Sequence, residues 1–381
     1  LDLVKFLAPE FVFGPGARKL AGRYLKNLGA RRPLVVSDEG LMSVGWVENV
    51  AASLREEGLQ FVLFLDVHAN PRDEDCEKGA RTYAAEGCDA ILSIGGGSPT
   101  DCAKGIGILT ANPGPLRAYE GIDRIPRPGP PLVCVPTTSG ASADVSQFAI
   151  IRDMESRRKM AIVSRSLVPD IALIDPEVTA TMAPGLTAAT GTDALVHAIE
   201  AFVSNASSPI TDIHALEAMR VIPKALQRAV GFPGDLDART LMSRASMEAG
   251  LAFSNAILGA VHAMAHAVGG LCDSPHGECN AIILPEVARA NFPAAEEKYR
   301  AAAGAIGLGG LSGRERDGDI IAEGLRLFIG GLPVARRLSE MGVRREDFEG
   351  LADIALSDPC MLTNPRRLTA AEVVSIYERC Y

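Results

Sequence analysis

"AILSIGGGSPTDCAKGIG", residues 90–107, decides the fold. A short aliphatic run meets three glycines, Ser98 and Pro99, and a helical pattern follows. An apolar run of this length, closed by glycines, predicts a buried strand. Pro99 suits the first helical turn, where its missing N–H loses no intrahelical bond. Glycines let the backbone approach a phosphate closely, and a helix N-terminus offers free N–H groups and a positive dipole end. The strand, turn and helix therefore form a place for a diphosphate over Gly96, Gly97 and Ser98. The plainer alternative is a glycine-rich turn with no ligand. The run is not G-x-G-x-x-G, so the usual Rossmann fingerprint does not apply.

The flanks extend this pattern. "PLVVSD" (33–38), "FVLFLDV" (61–67), "PLVCVP" (131–136) and "DIALIDP" (170–176) are further β-rich runs. Helical patterns separate them, as at 46–58 and 76–87. Apolar strands spaced by helices predict a parallel sheet covered on both faces. Residues 146–164 read as a hairpin, and the Pro/Gly-rich 113–131 as a surface loop. Beyond "MAPGLTAATGTD" (182–193) the strand signal fades. Helices are predicted at 187–204, 209–229, 237–250, 257–270, 294–306, 317–330, 345–356 and 369–379. The expected organisation is an α/β domain, 1–183, and an all-helical domain, 184–381.

Size and composition narrow the function. The chain has 381 residues, 47% hydrophobic and 22% charged, enough for two ordinary domains with sizeable cores. A net charge of −9 argues against binding nucleic acid or anionic lipid. No apolar run reaches the roughly 18 residues of a membrane helix. The N-terminal "LDLVKFLAPEF" lacks the pattern of a signal peptide. Eight scattered cysteines with no C-x-x-C pair read as reduced thiols, so the expected location is cytoplasmic.

Chemistry concentrates in the second half, which carries five of the six histidines. "GTDALVHAIEAF" (191–202) sets Asp193 and His197 at i, i+4 on one helix face. His262 follows on a second helix, and His276 in the "SPHGE" loop beyond it. One carboxylate and three imidazoles suit a borderline divalent ion, Fe(II) or Zn(II). His266, four residues after His262, either chelates with it or moves protons one turn away; spacing leaves both open. His68 and His214 lack a partner at ligand spacing and read as structural. Asp38, ending a strand, either accepts from ribose hydroxyls or caps a turn. "PTTSGASADVS" (136–146) is a hydroxyl-rich loop after another strand. A phosphate loop in one domain and a metal cluster in the other fit metal-assisted hydride transfer, or a metal-dependent lyase that uses NAD transiently.

These stretches resemble the iron-containing, group III alcohol dehydrogenases. The resemblance is carried by "FVFGPGA", "GGGSPTDCAKG", "PTTSG", "KMAIVS", "PDIALIDPEVTATMAPGLTAATGTDALVHAIEAFVS", "GAVHAMAHAVGG", "PHGECNAIILP" and "TNPRRLTAAEVVSIYERCY", in order from residue 11 to the end. It implies the dehydroquinate synthase-like fold: an α/β Rossmann-like dinucleotide-binding domain over 1–183, an all-helical domain over 184–381 that holds metal and substrate, and an active site in the cleft between domains. It also implies an NAD(H)-linked enzyme that interconverts a small alcohol and its aldehyde, using Fe(II). By resemblance the metal ligands are Asp193, His197, His262 and His276, and His266 relays protons. Gly96, Gly97 and Ser98 would meet the diphosphate. Asp38 would read the ribose, favouring NAD(H) over NADP(H). Asn70 falls near the nicotinamide ribose, Thr137 and Thr138 on the adenine side, and Lys159 facing the cofactor. Phe148, Phe253, Leu258 and Cys360 would line the substrate pocket, an apolar wall that favours simple alkyl alcohols over diols. Family habit implies a homodimer or higher homo-oligomer.

The sequence departs from the family where "PTT-x-G-T-G-S-E" becomes "PTTSGASAD". Ala141 lacks the hydroxyl that reaches the cofactor phosphates, which leaves the choice between NAD and NADP open. On the same scaffold, glycerol dehydrogenases use zinc with a smaller ligand set, and dehydroquinate synthases run a lyase reaction. The full Asp-His-His-His set argues against both. Intact ligands also weigh against a cofactor-binding regulator without turnover.

Overall fold

The computed structural model describes residues 5–311 and 316–381. The signal-peptide expectation begins on residues 1–4, outside the described residues. The chain divides into two units, one from Leu7 to Thr181 and one from Met182 to Tyr381, with Phe6 joining the second.

The first unit is built on nine strands. They are β1 (Glu10–Phe13), β2 (Pro33–Val36), β3 (Val62–Phe64), β4 (Ala90–Gly95), β5 (Gly121–Ile122), β6 (Leu132–Pro136), β7 (Phe148–Asp153), β8 (Arg158–Val163) and β9 (Ile171–Ile174). Five helices intervene: α1 (Ala21–Asn27), α2 (Glu39–Ser43), α3 (Trp46–Glu56), α4 (Asp73–Ala85) and α5 (Gly97–Ala111). Six strands form one all-parallel sheet in the order β1-β9-β6-β4-β2-β3. Its two faces bury alternate residues. Leu34, Val36, Ile91 and Cys134 pack on one side, and Val35, Leu92, Ile94, Val133 and Val135 on the other. This two-sided burial is why the strands read as unbroken apolar runs.

The expected hairpin is present as β7 and β8, antiparallel, with β5 added to β8 in a second, three-stranded sheet. The predicted loop 113–131 therefore contributes a two-residue strand and a 3-10 turn, Leu116–Tyr119. β1 is a strand that the sequence pattern does not announce. Its four residues lie at the sheet edge and pair with β9 alone.

The second unit is helical: α6 (Pro184–Val203), α7 (Pro209–Gly231), α8 (Leu236–Ala256), α9 (Ala260–Cys272), α10 (His276–Asn291), α11 (Glu296–Ile306), α12 (Asp317–Gly330), α13 (Phe348–Ser357) and α14 (Ala370–Cys380). α6 is buried nearly all round from Thr187 onward, the mark of a central core helix. Among the described residues no single helix is long and apolar enough to cross a membrane.

α10 corrects the sequence reading, which leaves His276 in a loop. His276 is the first residue of this helix, behind Pro275 at the N-cap. The Pro-Gly signals around it mark the start of a helix, where proline and glycine are tolerated. Pro285 inside α10 masks the rest of the period.

Candidate metal centre and cofactor loop

Three helices of the second unit bring the predicted ligands together. α6 carries Asp193 and His197, α9 carries His262, and α10 opens with His276. Asp193 Oδ1 lies 3.8 Å from His197 Nε2, 3.6 Å from His262 Nε2 and 3.8 Å from His276 Nε2. Ligand atoms about 2.1 Å from a tetrahedral ion stand about 3.4 Å apart. Asp193, His262 and His276 group as donors to Fe(II) or Zn(II) would, with ligand atoms within 4.8 Å of one another, while His197 approaches the group at Asp193 Oδ1; the donor types fit such an ion. The His197 and His262 rings stack at 4.6 Å. Phe253 also stacks on His197, at 4.3 Å. Of the four side chains only that of His276 keeps appreciable exposure, 27%.

Electrostatics agree with a site built for positive charge. Burial alone would push the Asp193 carboxyl up, but His197, His276 and His262 outweigh it and hold it far below the usual carboxylate range. Burial would lower His262, yet the neighbouring Asp193 and Glu200 carboxylates raise it to about 9.

Local backbone explains the convergence. Between α8 and α9 the chain bends by 99° over residues 257–259. Ile257 sits there at φ +61°, a conformation β-branched residues avoid, at a cost of about 1–3 kcal/mol. Ser204 Oγ donates to Ala256 O (2.5 Å) and Thr363 Oγ1 to Leu258 O (2.6 Å), tying down both sides of the bend. On α10, a Cβ at Gly277 would stand 2.3 Å from Ala189 O of α6. This glycine lets α10 approach α6 closely enough for His276 to face Asp193.

His266 stands apart from the Asp193 carboxylate. Its Nδ1 lies 2.8 Å from Asp358 Oδ2, and its ring stacks on His276 at 5.3 Å. His266, Asp358 and Cys360 form a separate cluster beside the one holding Asp193, His262 and His276. Cys360 N donates to Asp358 Oδ1 (2.8 Å). Burial would raise the Asp358 carboxyl, but His266 and Cys360 hold it low. Cys360 and Leu258 are joined by Thr363, whose Oγ1 reaches both their carbonyls. Phe253, Leu258 and Cys360 are all buried in this unit. Phe148, also buried, belongs to β7 of the other. His68 and His214 each meet one carboxylate, Asp75 and Glu248, away from the cluster.

Sequence reasoning missed three residues here. Glu200 continues the stripe of Asp193 and His197 at i+7 and accepts from His262. Asn280, one turn after His276, donates from Nδ2 to Asp193 Oδ1 (2.7 Å) and stands 3.2 Å from His262 Nε2 and His276 Nε2. Helical spacing signals both. Asp358, distant in sequence from His266, has no local signal.

In the first unit the cofactor candidates gather at strand ends. β2, β4 and β6 are neighbouring parallel strands. Asp38, Gly95–Gly97 and Thr137–Thr138 follow their carboxyl ends, where open α/β sheets bind ligands. Gly97 and Ser98 open α5 behind Gly96. A Cβ on Gly96 would meet Thr138 Cγ2 at 2.9 Å, and one on Gly97 would meet Ala141 at 3.0 Å, so the second loop closes over the first. Thr137 N donates to Gly95 O (3.0 Å). Ser98 Oγ donates to Ala69 O, which ties Asn70's connection to the glycine turn. Asp38 caps α2 through Leu41 N (2.9 Å). Lys159 lies in β8 of the smaller sheet, opposite Arg152, and its charge acts on Asp101 of α5.

Comparison with known proteins matches these features along the whole chain. The model described as iron-containing alcohol dehydrogenase covers residues 8–176, and that of the C-terminal region of the Fe-containing alcohol dehydrogenase family covers 187–381. The 1,3-propanediol dehydrogenase of Klebsiella pneumoniae is 40% identical, over 99% of this chain and 98% of that one. The NAD-dependent methanol dehydrogenase of Bacillus methanolicus is 38% identical, over 97% and 98%. A crystal structure of a 1,3-propanediol oxidoreductase superimposes with TM-score 0.95 at 38% identity, covering all of both chains.

Proposed function

The chain belongs to the iron-containing alcohol dehydrogenase family, and from that premise we propose how its residues divide the work. It is an NAD-dependent oxidoreductase that interconverts alcohols and aldehydes. The finer reading is a small primary alcohol or aldehyde as substrate, Fe(II) as the working ion and NAD(H) in preference to NADP(H). Residues 1–183 bind the cofactor, and residues 184–381 hold metal and substrate.

The carrying observation is Asp193 Oδ1 facing the Nε2 atoms of His197, His262 and His276. When bound there, a divalent ion supplies Lewis acidity toward an alcohol or carbonyl oxygen, and a nicotinamide accepts or returns hydride. His266 donates Nδ1–H to Asp358, which leaves its Nε2 to take the alcohol proton and pass it to solvent. Phe253, Leu258 and Cys360, all buried, exclude water and favour an alkyl chain over a second hydroxyl, and Phe148 is read as a further apolar substrate contact. Gly96, Gly97 and Ser98 receive the diphosphate, while Asp38 accepts from ribose hydroxyls and repels a 2′-phosphate. Asn70, Thr137, Thr138 and Lys159 complete the cofactor contacts. A homo-oligomer, at least a dimer, is part of the reading on family grounds. A reducing, cytoplasmic setting is part of the reading, from eight scattered cysteines with no C-x-x-C pair.

The test is metal content of anaerobically purified protein, with NADH-linked aldehyde reduction assayed before and after chelation. Near-stoichiometric metal and recovery only with Fe(II) are expected. Recovery with Zn(II) instead would change the ion but keep the chemistry. Activity in protein shown to be metal-free would overturn the metal reading.

A further inference from the structure

Helix α9 begins without a cap of its own. Gly259 at its N-cap has no side chain, yet the first three N–H groups all find acceptors from elsewhere in the unit. Ala260 N donates to Asn364 Oδ1 (3.1 Å), Val261 N to Glu200 Oε1 (2.7 Å) and His262 N to Glu200 Oε2 (3.3 Å). Glu200 Oε2 also lies 2.6 Å from His262 Nδ1. A Cβ on Gly259 would stand 2.9 Å from Glu200 Oε1 and 3.0 Å from Asn364 Oδ1, so the glycine admits both acceptors. One carboxylate, in a residue only 4% exposed, thus holds the backbone and the ring of the same histidine.

We propose that Glu200 is a positioning residue of the metal centre: it fixes the tautomer of His262 and, by capping α9, the place of its ring. The proposal rests on the reading of His262 as a ligand. A carboxylate only accepts, so the hydrogen of a neutral imidazole must lie on Nδ1. Nε2 then carries a lone pair, and Nε2 is the atom turned toward Asp193. A helix cap alone would need any acceptor; tautomer control needs one that cannot donate. Glutamine separates the two roles. Its carbonyl keeps the bond from Val261, while its NH₂ faces His262 Nδ1 and drives the hydrogen to Nε2, where it blocks coordination. Outer partners of this kind change metal affinity by about 10–100-fold.

The experiment measures Zn(II) affinity of the full chain by chelator competition, in wild type, Glu200→Gln and His262→Ala. Expected is a 10–100-fold weaker affinity for Glu200→Gln and a loss at least as large for His262→Ala. Wild-type affinity in Glu200→Gln, with His262→Ala impaired, overturns the proposal and leaves the ligand reading standing. Wild-type affinity in His262→Ala overturns the ligand reading itself. Nitrogen-15 NMR of Zn(II)-loaded, histidine-labelled wild type decides the matter even if Glu200→Gln does not fold. The His262 signal, assigned by its absence in His262→Ala, should show protonated Nδ1 and metal-bound Nε2; the reverse assignment overturns the proposal.

Discussion

His266 donates to Asp358 across 92 residues of chain, Nδ1 to Oδ2, at 2.8 Å. Both side chains are buried, so this bond fixes which nitrogen of His266 is left to exchange a proton. Replacing His266 by Ala should lower turnover by about 100-fold, the smaller end of general acid–base effects. Asp358→Asn should lower it by roughly tenfold, because an amide can turn its NH₂ toward Nδ1 and misplace the hydrogen. Neither residue belongs to the ligand set, so metal content should stay at the wild-type level in both. Elemental analysis beside steady-state rates checks this. A His266→Ala enzyme with full activity at every pH would remove the relay.

Asp38 has two roles to separate, because its Oδ1 caps α2 through Leu41 N while its place just after the carboxyl end of β2 suits a ribose. Asn keeps the cap, since the two side chains cap about equally well. Asp38→Asn should therefore leave the thermal midpoint within a degree or two. Discrimination against NADP(H), measured as the ratio of kcat/KM values, should relax by about tenfold, or roughly 1.4 kcal/mol, as the repulsion of a 2′-phosphate disappears. An unchanged ratio would assign Asp38 to the cap alone.

The parallel sheet was legible because β2, β4, β6 and β9 are buried on both faces and so read as apolar runs. The convergence of Asp193 with the histidines was legible because Asp193 and His197 are one turn apart on α6, and histidine is scarce elsewhere. α10 was not, because Pro275, Gly277 and Pro285 imitate a loop while lying at positions that the helix accommodates. Asp358 was invisible for a different reason. It acts through a contact that only the tertiary fold makes, from a 3-10 turn whose residues carry no periodic signal.

Gly277 should control the metal centre without touching an ion. Its added Cβ would lie 2.3 Å from Ala189 O and 2.7 Å from Ala189 C, backbone atoms that cannot swing aside. Gly277→Ala must push α10 off α6, carrying His276 and Asn280 away from Asp193. The expected result is a loss of about 1–3 kcal/mol in stability, typical of overpacking, and at least tenfold weaker Zn(II) binding. Gly304→Ala, on a helix position with open space, is the control and should bind normally. Wild-type affinity in Gly277→Ala would show that α10 has room to adjust.

The first unit carries its own pH dependence. Burial raises the Asp144 carboxyl from 3.8 to about 6, against the pull of its own backbone N–H and of Lys104. The residue is 6% exposed, so little solvent screening intervenes. Between about pH 4 and 6 the native protein keeps a proton there that the unfolded chain has released. Stability from this group is therefore fully present below about pH 4 and is lost as pH rises through 6. The loss approaches about 3 kcal/mol, at roughly 1.4 kcal/mol per pKa unit. Asp144→Asn is neutral throughout and should lack this contribution. Urea unfolding at pH 4.5 and pH 7.5 measures the difference: the variant's stability relative to wild type should rise with pH. A relative stability that does not change between the two pH values would show that Asp144 ionises in the native protein as readily as in the unfolded chain.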